Sequence, residues 1–509
     1  MKAIHILITI ILCSISTSIW GQTATYSTQA IVHDLKYFTD WTASSLTKGF
    51  KSKTLKEFHC PVMQKLAEQL YNGKYQSTYL LNSYRPIESN KVLEQKLKLY
   101  SGYSQYENMT GVYLEKGENI VLVGDLHGQS VNLLIPDWMR KPAPGIKPTK
   151  DPEGWGLKRQ KIELHEGVNV IYVKKAGNVY IDYFADNPES APVVTIHFVT
   201  GKVNGYFDAE TQGNEEWKKL LDNAVGPVVD IKTRYMQLAY PVEYLKKFRY
   251  NDGKELAETY DKIMDRQYTF NGAKKYHRIP NKRILARVNH NYYMFRDGDG
   301  VAFIGDESTM RKAVGPDIYR DWGVNHEIGH VMQMSQLTWT GMGEVSNNLF
   351  TLYVTAQKGK PGRLTTEKNY ENAFKHVLDA EEKPFIMCVS ELFERLVPFW
   401  QLYVYAQQNG YNDFYADLME YLRNHPSKGH GKDSVNDMYE FVKVSCDLLK
   451  TDLTDFFEDW GFFVTGTFHV NDYASQVFEI TPKMVEEVKQ YIASKEYPVP
   501  NKNLSRLTD

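Results

Sequence analysis

Two histidines four residues apart constrain this chain more than any other feature of its sequence. They are His326 and His330 in the segment NHEIGHVMQM, and Glu327 directly follows the first of them. In an α-helix, residues four apart lie on the same face, one turn from each other. The spacing therefore predicts a helix that presents both imidazoles to one tetrahedral metal ion, for which zinc is the usual choice.

The same segment contains a glycine whose presence predicts close packing. Ile328, Val331 and Met332 supply an apolar back for the helix. Gly329 is a poor helix residue and costs about 1 kcal/mol relative to alanine. We expect another part of the chain to approach the helix closely at this point.

Glu344 is the candidate for a third ligand. Sites with a third histidine six residues after the motif are excluded, because Gln333 and Gln336 occupy the positions that would hold Gly and His. Gly341 and Gly343 interrupt the chain, and Glu344 then opens a new segment with helical spacing. A carboxylate there completes a His–His–Glu site with one coordination position left for water.

Two further residues are assigned roles around this site. Glu327 is too offset on the helix to bind the ion but near enough to take a proton from a water molecule beside it, as a general base does. Asn348, one turn beyond Glu344, is predicted to orient a ligating histidine; a solvent-facing amide is the alternative. For the whole cluster, the alternative is an ordinary helix with two structural histidines and a solvated glutamate.

Length and charge bound the class of protein. The chain has 509 residues, which predicts two or three domains, and a formal net charge of −2, which argues against nucleic acid as a partner. Residues 1–21 have the charged start, apolar middle and small residues of an export signal. We therefore expect an exported protein, periplasmic, cell-surface or secreted, with no transmembrane segment in the mature chain.

Three cysteines lie beyond the signal: Cys60, Cys388 and Cys446. They are odd in number and scattered, which is not the pattern of a disulfide framework. Three free thiols are favoured over a single bridge.

The periodicity of the sequence predicts an α+β multidomain fold. Residues 22–100 show helical spacing and are predicted to form a helical lead-in. Short runs rich in Val, Ile and Tyr predict an antiparallel β-sandwich over 101–208. A mostly helical domain that contains the motif follows over 209–475, and 476–509 form a last helix and tail.

The segment WGVNHEIGHVMQMSQLTWTGMGEVSNNLFTLYV resembles the zinc segment of the enhancin-like, mucin-targeting metallopeptidases, in which HExxH precedes a GEVxNN-type sequence. The stretches YSQYENMTGVYLEKGENIVL, RLVPFWQLYVYAQQNGYNDF and LTDFFEDWGFFV resemble other parts of that family in order. The resemblance covers residues 95–465.

This resemblance implies a gluzincin-type catalytic domain behind a β-sandwich-like domain. By the match, His326, His330 and Glu344 bind zinc, and Glu327 is the general base. The implied substrates are O-glycosylated proteins such as mucins. Arg395, in the RLVPFWQL helix, would line the substrate cleft.

Three other functions stay open at the level of sequence. One is an exported zinc protease with no glycan requirement, and another is a glycan-binding protein with a vestigial metal site. The intact Glu327 argues against the second, because a scaffold needs no base. A glycoside hydrolase is a more distant alternative, since paired carboxylates from separate strands leave no local pattern.

Overall fold

The computed structural model describes residues 26–99, 102–154, 156–357, 359–427, 429, 431–500 and 503–509. The chain is a mixed α/β protein in these ranges. The predicted export signal lies outside the described residues. Among the residues described, no helix is both long and apolar enough to cross a bilayer. Cys60, Cys388 and Cys446 are all free, as expected.

Two antiparallel sheets in the first half of the chain share one hydrophobic core. The four-stranded sheet has the order β1 (Leu81–Tyr84), β10 (Val194–Phe198), β4 (Gly117–Val123), β7 (Gly167–Val173). The five-stranded sheet has the order β11 (Lys202–Val203), β3 (Met109–Leu114), β8 (Gly177–Asp182), β5 (Asn132–Pro136), β6 (Arg159–Glu163). Alternate apolar residues of both sheets face this core, as in any strand buried on one face.

The predicted helical lead-in contains more than helices. Helices α1 (Thr28–Leu35) and α2 (Pro61–Tyr71) cover the outer face of the four-stranded sheet, where Ile120 and Leu122 of β4 join their apolar residues. The same region also supplies β1 and β2 (Ile87–Glu88), which pairs with β9 (Phe184–Ala185), before α3 (Asn90–Leu97). These short strands were not predicted, because the spacing of apolar residues over 22–100 is mainly helical.

A six-stranded mixed sheet forms the centre of the second half. Its order is β12 (Phe207–Asp208), β13 (Val228–Lys232), β14 (Met236–Pro241), β15 (Ile284–Asn289), β17 (Gly300–Ile304), β16 (Met294–Asp297). The stretch KRILARVNHNYYMFRDGDGVAFIGD supplies β15, β16 and β17, in keeping with its Val, Ile and Phe content and its Gly/Asp turn. Strands β13 and β14 were not predicted, because their short apolar runs are fully or nearly buried and lack the alternation that identifies a strand.

Helices surround this sheet, and one core joins them to it. They are α4 (Asn214–Asn223), α5 (Val242–Arg249), α6 (Gly253–Phe270), α7 (Glu307–Val314), α8 (Trp322–Met332), α9 (Ser346–Thr355), α10 (Arg363–Thr366), α11 (Asn369–Ala373), α12 (Leu392–Gln408), α13 (Phe414–Asn424), α14 (Val435–Leu449), α15 (Thr454–Asp459) and α16 (Pro482–Ala493). A hairpin of β18 (Gly466–Asp472) and β19 (Ala474–Ile480) precedes α16. This hairpin was not predicted, and it spans the expected boundary at residue 475.

The outer face of the five-stranded sheet packs on the six-stranded sheet through a buried polar contact. Tyr180 of β8 donates a hydrogen bond to Asp230 of β13 at 2.7 Å. Gln237 and Asn178 donate to the same carboxylate at 3.1 and 3.2 Å. Burial raises the pKa of Asp230 to about 6, even though these three donors favour its ionised form.

Candidate metal centre

Helix α8 places both motif histidines on one face. Its N-cap residue, Asp321, accepts a hydrogen bond from the backbone N–H of Val324 at 3.0 Å, which fixes the start of the helix. Gly329 lies against α9: a methyl group there would stand 2.6 Å from the carbonyl oxygen of Asn347. The close packing expected from this glycine is therefore present, and it brings α9 next to the histidines.

Glu344 meets the two histidines at one point. Its Oε2 atom lies 3.0 Å from Nε2 of His326 and 3.3 Å from Nε2 of His330. Glu344 belongs to the turn before α9 rather than to the helix itself, since α9 begins at Ser346. The expectation of a ligand on the following helix is corrected to this extent.

The second ring nitrogen of each histidine has an amide partner. Nδ1 of His326 is 2.8 Å from Oδ1 of Asn348, and Nδ1 of His330 is 2.7 Å from Oε1 of Gln333. An amide oxygen only accepts, so both histidines donate from Nδ1 and keep the lone pair of Nε2 for the ion. Asn348 is thus placed as expected from the sequence. Gln333, considered there only as the residue in place of a glycine, has the same position toward His330.

The two amides also hold the turn that carries Glu344. Nδ2 of Asn348 donates to the carbonyl oxygen of Glu344 at 2.8 Å. Nε2 of Gln333 donates to the carbonyl oxygen of Gly343 at 2.7 Å and to the hydroxyl of Ser346 at 2.8 Å. One set of hydrogen bonds therefore orients all three candidate ligands.

Asn347 contacts both imidazoles and was not singled out from the sequence. Its Nδ2 atom lies 3.1 Å from Nε2 of His326 and 3.0 Å from Nε2 of His330. The residue is fully buried in the contact between α8 and α9. Nδ2 is also 3.1 Å from Nδ1 of His326, so the amide lies against the face of that ring.

The three side chains fit a zinc ion in chemistry and in spacing. Two imidazole nitrogens and one carboxylate oxygen are a donor set of catalytic zinc sites. Tetrahedral bonds of about 2.0–2.1 Å separate neighbouring donors by about 3.3 Å, and the N–O separations here are 3.0 and 3.3 Å. Among the described residues, this is the one cluster of three such side chains whose ligand atoms all lie within 4.8 Å of one another.

Glu327 faces the same space without taking part in the cluster. It lines a cavity of about 600 Å³ together with both histidines and Glu344. The other lining residues are Thr149, Tyr292, Met294, Phe295, Arg296, Gln333 and Tyr473. The cavity thus lies between α8, strand β16 and the β18–β19 hairpin.

The two carboxylates of the site differ in proton affinity. Burial would raise the pKa of Glu344, but its close contacts with the imidazoles of His326 and His330 outweigh that effect and lower the pKa to about 2. Burial raises the pKa of Glu327, and the attraction of the histidines does not cancel the effect. One carboxylate is held ionised and the other takes up a proton more readily, which is the division that a ligand and a base require.

Arg395 lies behind the site and is not part of the cavity lining. It is buried in α12, and its Nη1 donates to the carbonyl oxygen of Gly341 at 2.8 Å. The cleft position expected for Arg395 is therefore replaced by a contact with the turn that leads to Glu344.

The β18–β19 hairpin brings two unexpected residues to the site. The hydroxyl of Tyr473 hydrogen-bonds Oε1 of Glu344, the oxygen that does not face the histidines. Oδ2 of Asp472 accepts from the backbone N–H groups of Gly341 and Gly343 at 2.9 and 3.0 Å. The sequence signal for them was weak: alternation in FHVNDYASQVFEI around a polar turn is typical of a hairpin, but says nothing about where its tip lies.

Comparison with known protein families matches residues 204–461 to Peptidase M60, enhancin and enhancin-like. This match spans just over half of the 509 residues and contains the whole cluster. The chain belongs to peptidase family M60. No curated protein matches this M60 peptidase.

Solved structures with a similar fold include several metallopeptidases. One from Bacteroides thetaiotaomicron has a TM-score of 0.76 at 22% identity, over 95% of this M60 chain and 82% of that one. A metallopeptidase in complex with Tn antigen has a TM-score of 0.69 at 22% identity, over 85% and 80%. The M60 catalytic domain of Clostridium perfringens ZmpC, in complex with the sialyl T antigen, has a TM-score of 0.63 at 19% identity, over 84% and 82%. At these identities the likeness establishes the shared fold.

Proposed function

We propose that this M60 peptidase is an exported zinc endopeptidase that hydrolyses peptide bonds in O-glycosylated proteins such as mucins. One observation carries the proposal: His326, His330 and Glu344 converge on one point, and Glu327 lines the same cavity. A protein that only binds glycans has no use for a partly desolvated base beside a metal site. The arrangement suits hydrolysis better than adhesion.

We also propose a domain architecture and a cellular location for this peptidase. The two stacked sheets, formed by residues 101–208 together with β1 (Leu81–Tyr84), serve as a β-sandwich-like domain. Residues 209–475, with the remainder of the β18–β19 hairpin, serve as a gluzincin-type catalytic domain. The apolar segment at residues 1–21 supports export to the periplasm, the cell surface or the medium. Fractionation of cells that express the full chain tests the location directly.

The residues of the site divide the chemistry between them. His326, His330 and Glu344 would hold the ion. When bound, zinc supplies a Lewis acid that polarises the scissile carbonyl and lowers the pKa of water. Glu327 takes the proton of the attacking water and delivers it to the leaving amine.

The glycan part of the proposal rests on the cavity wall and on the relatives. Tyr292 lines the cavity and is 54% exposed, so its ring is available to stack on a sugar. The similar structures include one in complex with Tn antigen and one in complex with the sialyl T antigen. We propose that this chain recognises the same class of ligand in its substrate, namely an O-linked sugar next to the scissile bond.

A digest of an O-glycopeptide by the full chain tests the proposal, with mass spectrometry as the readout. Cleavage is expected with zinc, and it is expected to stop with chelator, in Glu327→Gln and after enzymatic removal of the O-glycan. Cleavage that survives deglycosylation would instead support an exported zinc protease without glycan requirement. Glycan binding by the zinc-loaded protein with no cleavage at all would support a glycan-binding protein with a vestigial metal site.

A further inference from the structure

The tip of the β18–β19 hairpin is tied to the turn that carries Glu344. We propose that Asp472 and Tyr473 are positioning residues, and that the hairpin tip sets the orientation in which Glu344 binds the metal ion. The proposal rests on the metal site of the proposed function. It assigns a role to a hairpin more than 120 residues beyond that site in the sequence.

The strands of the β18–β19 hairpin pack against the core and so fix the position of its tip. Val470, Phe478 and Ile480 are buried and alternate with more exposed positions. The ring of Phe385 lies 4.7 Å from that of Phe468 and 5.7 Å from that of Phe478, measured between centroids. One face of the hairpin is therefore anchored in the core, which limits the freedom of residues 472–474.

Asp472 fixes the backbone of the turn from one side, and Arg395 fixes it from the other. One carboxylate oxygen of Asp472 accepts from both Gly341 N–H and Gly343 N–H. Arg395 donates to the carbonyl oxygen of Gly341, and the charge of Asp472 attracts Arg395. A charged acceptor with two backbone donors is among the stronger hydrogen-bond arrangements in proteins.

The glycines show how closely the tip lies on the turn. A methyl group at Gly343 would stand 2.9 Å from Oδ1 of Asp472 and 2.9 Å from Cε2 of Tyr473. Gly341 has a φ of +96°, which side chains rarely adopt. The turn before Glu344 therefore admits the hairpin tip because both positions lack a side chain.

Tyr473 completes the hold on the carboxylate. Its hydroxyl bonds Oε1 of Glu344, while Oε2 faces the two histidines, so the carboxylate is restrained at both oxygens. The ring of Tyr473 is otherwise 85% exposed, and its φ of +36° is unusual for a tyrosine. Strained backbone at an exposed residue whose side chain bonds a candidate metal ligand is typical of a functional position.

Zinc affinity of the full chain, measured by competition with a chromogenic chelator, tests the proposal without reference to proteolysis. Tyr473→Phe is expected to weaken zinc binding by about 10-fold, and Asp472→Ala by about 10- to 100-fold. Asp472→Asn keeps an acceptor oxygen and is expected to restore most of that loss. The d–d absorption bands of the cobalt-substituted Tyr473→Phe protein should also differ from those of the wild type, because the geometry of one ligand changes.

Matched controls separate positioning from general damage. Tyr293→Phe removes another exposed tyrosine hydroxyl, one bonded to Lys312, and Glu479→Gln alters an exposed carboxylate of the same hairpin. Both should keep wild-type zinc affinity, and Tyr473→Phe and the two controls should keep the wild-type Tm as metal-free proteins. Wild-type zinc affinity in Tyr473→Phe and Asp472→Ala would overturn the proposal while leaving the peptidase assignment intact. Conversely, a wild type that binds zinc but cleaves nothing would refute the proposed function alone.

Discussion

Gly329 of α8 lies directly against the backbone carbonyl of Asn347 in α9, with no room for even a methyl group between them. This contact sets the separation of the two helices that carry the histidines and their amide partner. The site therefore depends on a packing contact as well as on its ligands.

Gly329→Ala should push the helices apart. A Cβ atom 2.6 Å from a backbone oxygen forces a shift, which costs about 1–3 kcal/mol and exceeds the gain of about 1 kcal/mol in helix propensity. We expect a lower Tm and weaker zinc binding, measured by calorimetry and chelator competition. Gly298→Ala, where the added methyl meets open space, is the control. A stabilised Gly329→Ala protein would show that the contact is not close.

Gln333 and Asn348 should matter to the metal although neither binds it. Each accepts from Nδ1 of one histidine, so alanine at either position frees a ring and removes a hydrogen bond to the turn. Zinc affinity should fall by about 10- to 100-fold in each variant. Titration of the metal-free proteins with zinc measures this loss. Equal zinc affinities in variant and wild type would show that neither amide contributes to metal binding.

His326→Ala should abolish stoichiometric zinc binding. The variant removes one of three protein donors, and the remaining imidazole and carboxylate no longer surround the ion. Metal analysis of the purified protein by plasma mass spectrometry measures the occupancy. His376→Ala, which replaces a histidine paired with Glu394 away from the cluster, should retain full occupancy. One zinc per chain in His326→Ala would contradict the ligand assignment.

Asp230 should make the stability of the fold depend on pH. Its pKa is raised from 3.8 to about 6 in the folded chain, so the folded state binds a proton more tightly than the unfolded state does. This contribution to stability is complete below about pH 4 and is lost as the pH rises through 6. Asp230→Asn lacks it.

The stability of the wild type relative to Asp230→Asn should therefore fall by roughly 2 kcal/mol between pH 4 and pH 7. Denaturant unfolding across that range measures the difference, with Asp455→Asn, an exposed carboxylate, as the control. A pH-independent difference between wild type and Asp230→Asn would show that the carboxylate is not desolvated.

Local periodicity was sufficient to place the centre of the site. The spacing of His326 and His330 places both side chains on one face of a helix, whatever the rest of the fold. The glycines before Glu344 indicate that the helix has ended and that the chain can turn back toward that face. Gly329 likewise indicated close packing, because its cost in a helix needs a reason. These are interactions between residues near one another in sequence, which a pattern can express.

The hairpin contacts had no such signal. Tyr473 reaches Glu344 across 129 residues, and the position of its strand pair depends on packing against Phe385. Strands β13 and β14 were missed for a related reason: burial on both faces removes the alternation that distinguishes a strand from a buried helix. Arg395 was expected in the cleft because helix position alone does not tell which neighbour a long side chain meets.

The most direct test of the account is turnover and zinc content measured together in Glu327→Gln. Glutamine keeps the shape of the side chain but accepts no proton, and the three ligands are untouched. We expect one zinc per chain, as in the wild type, and cleavage of an O-glycosylated substrate slower by several orders of magnitude. Wild-type turnover in a fully zinc-loaded Glu327→Gln protein would contradict the assignment of the base and, with it, the proposed mechanism.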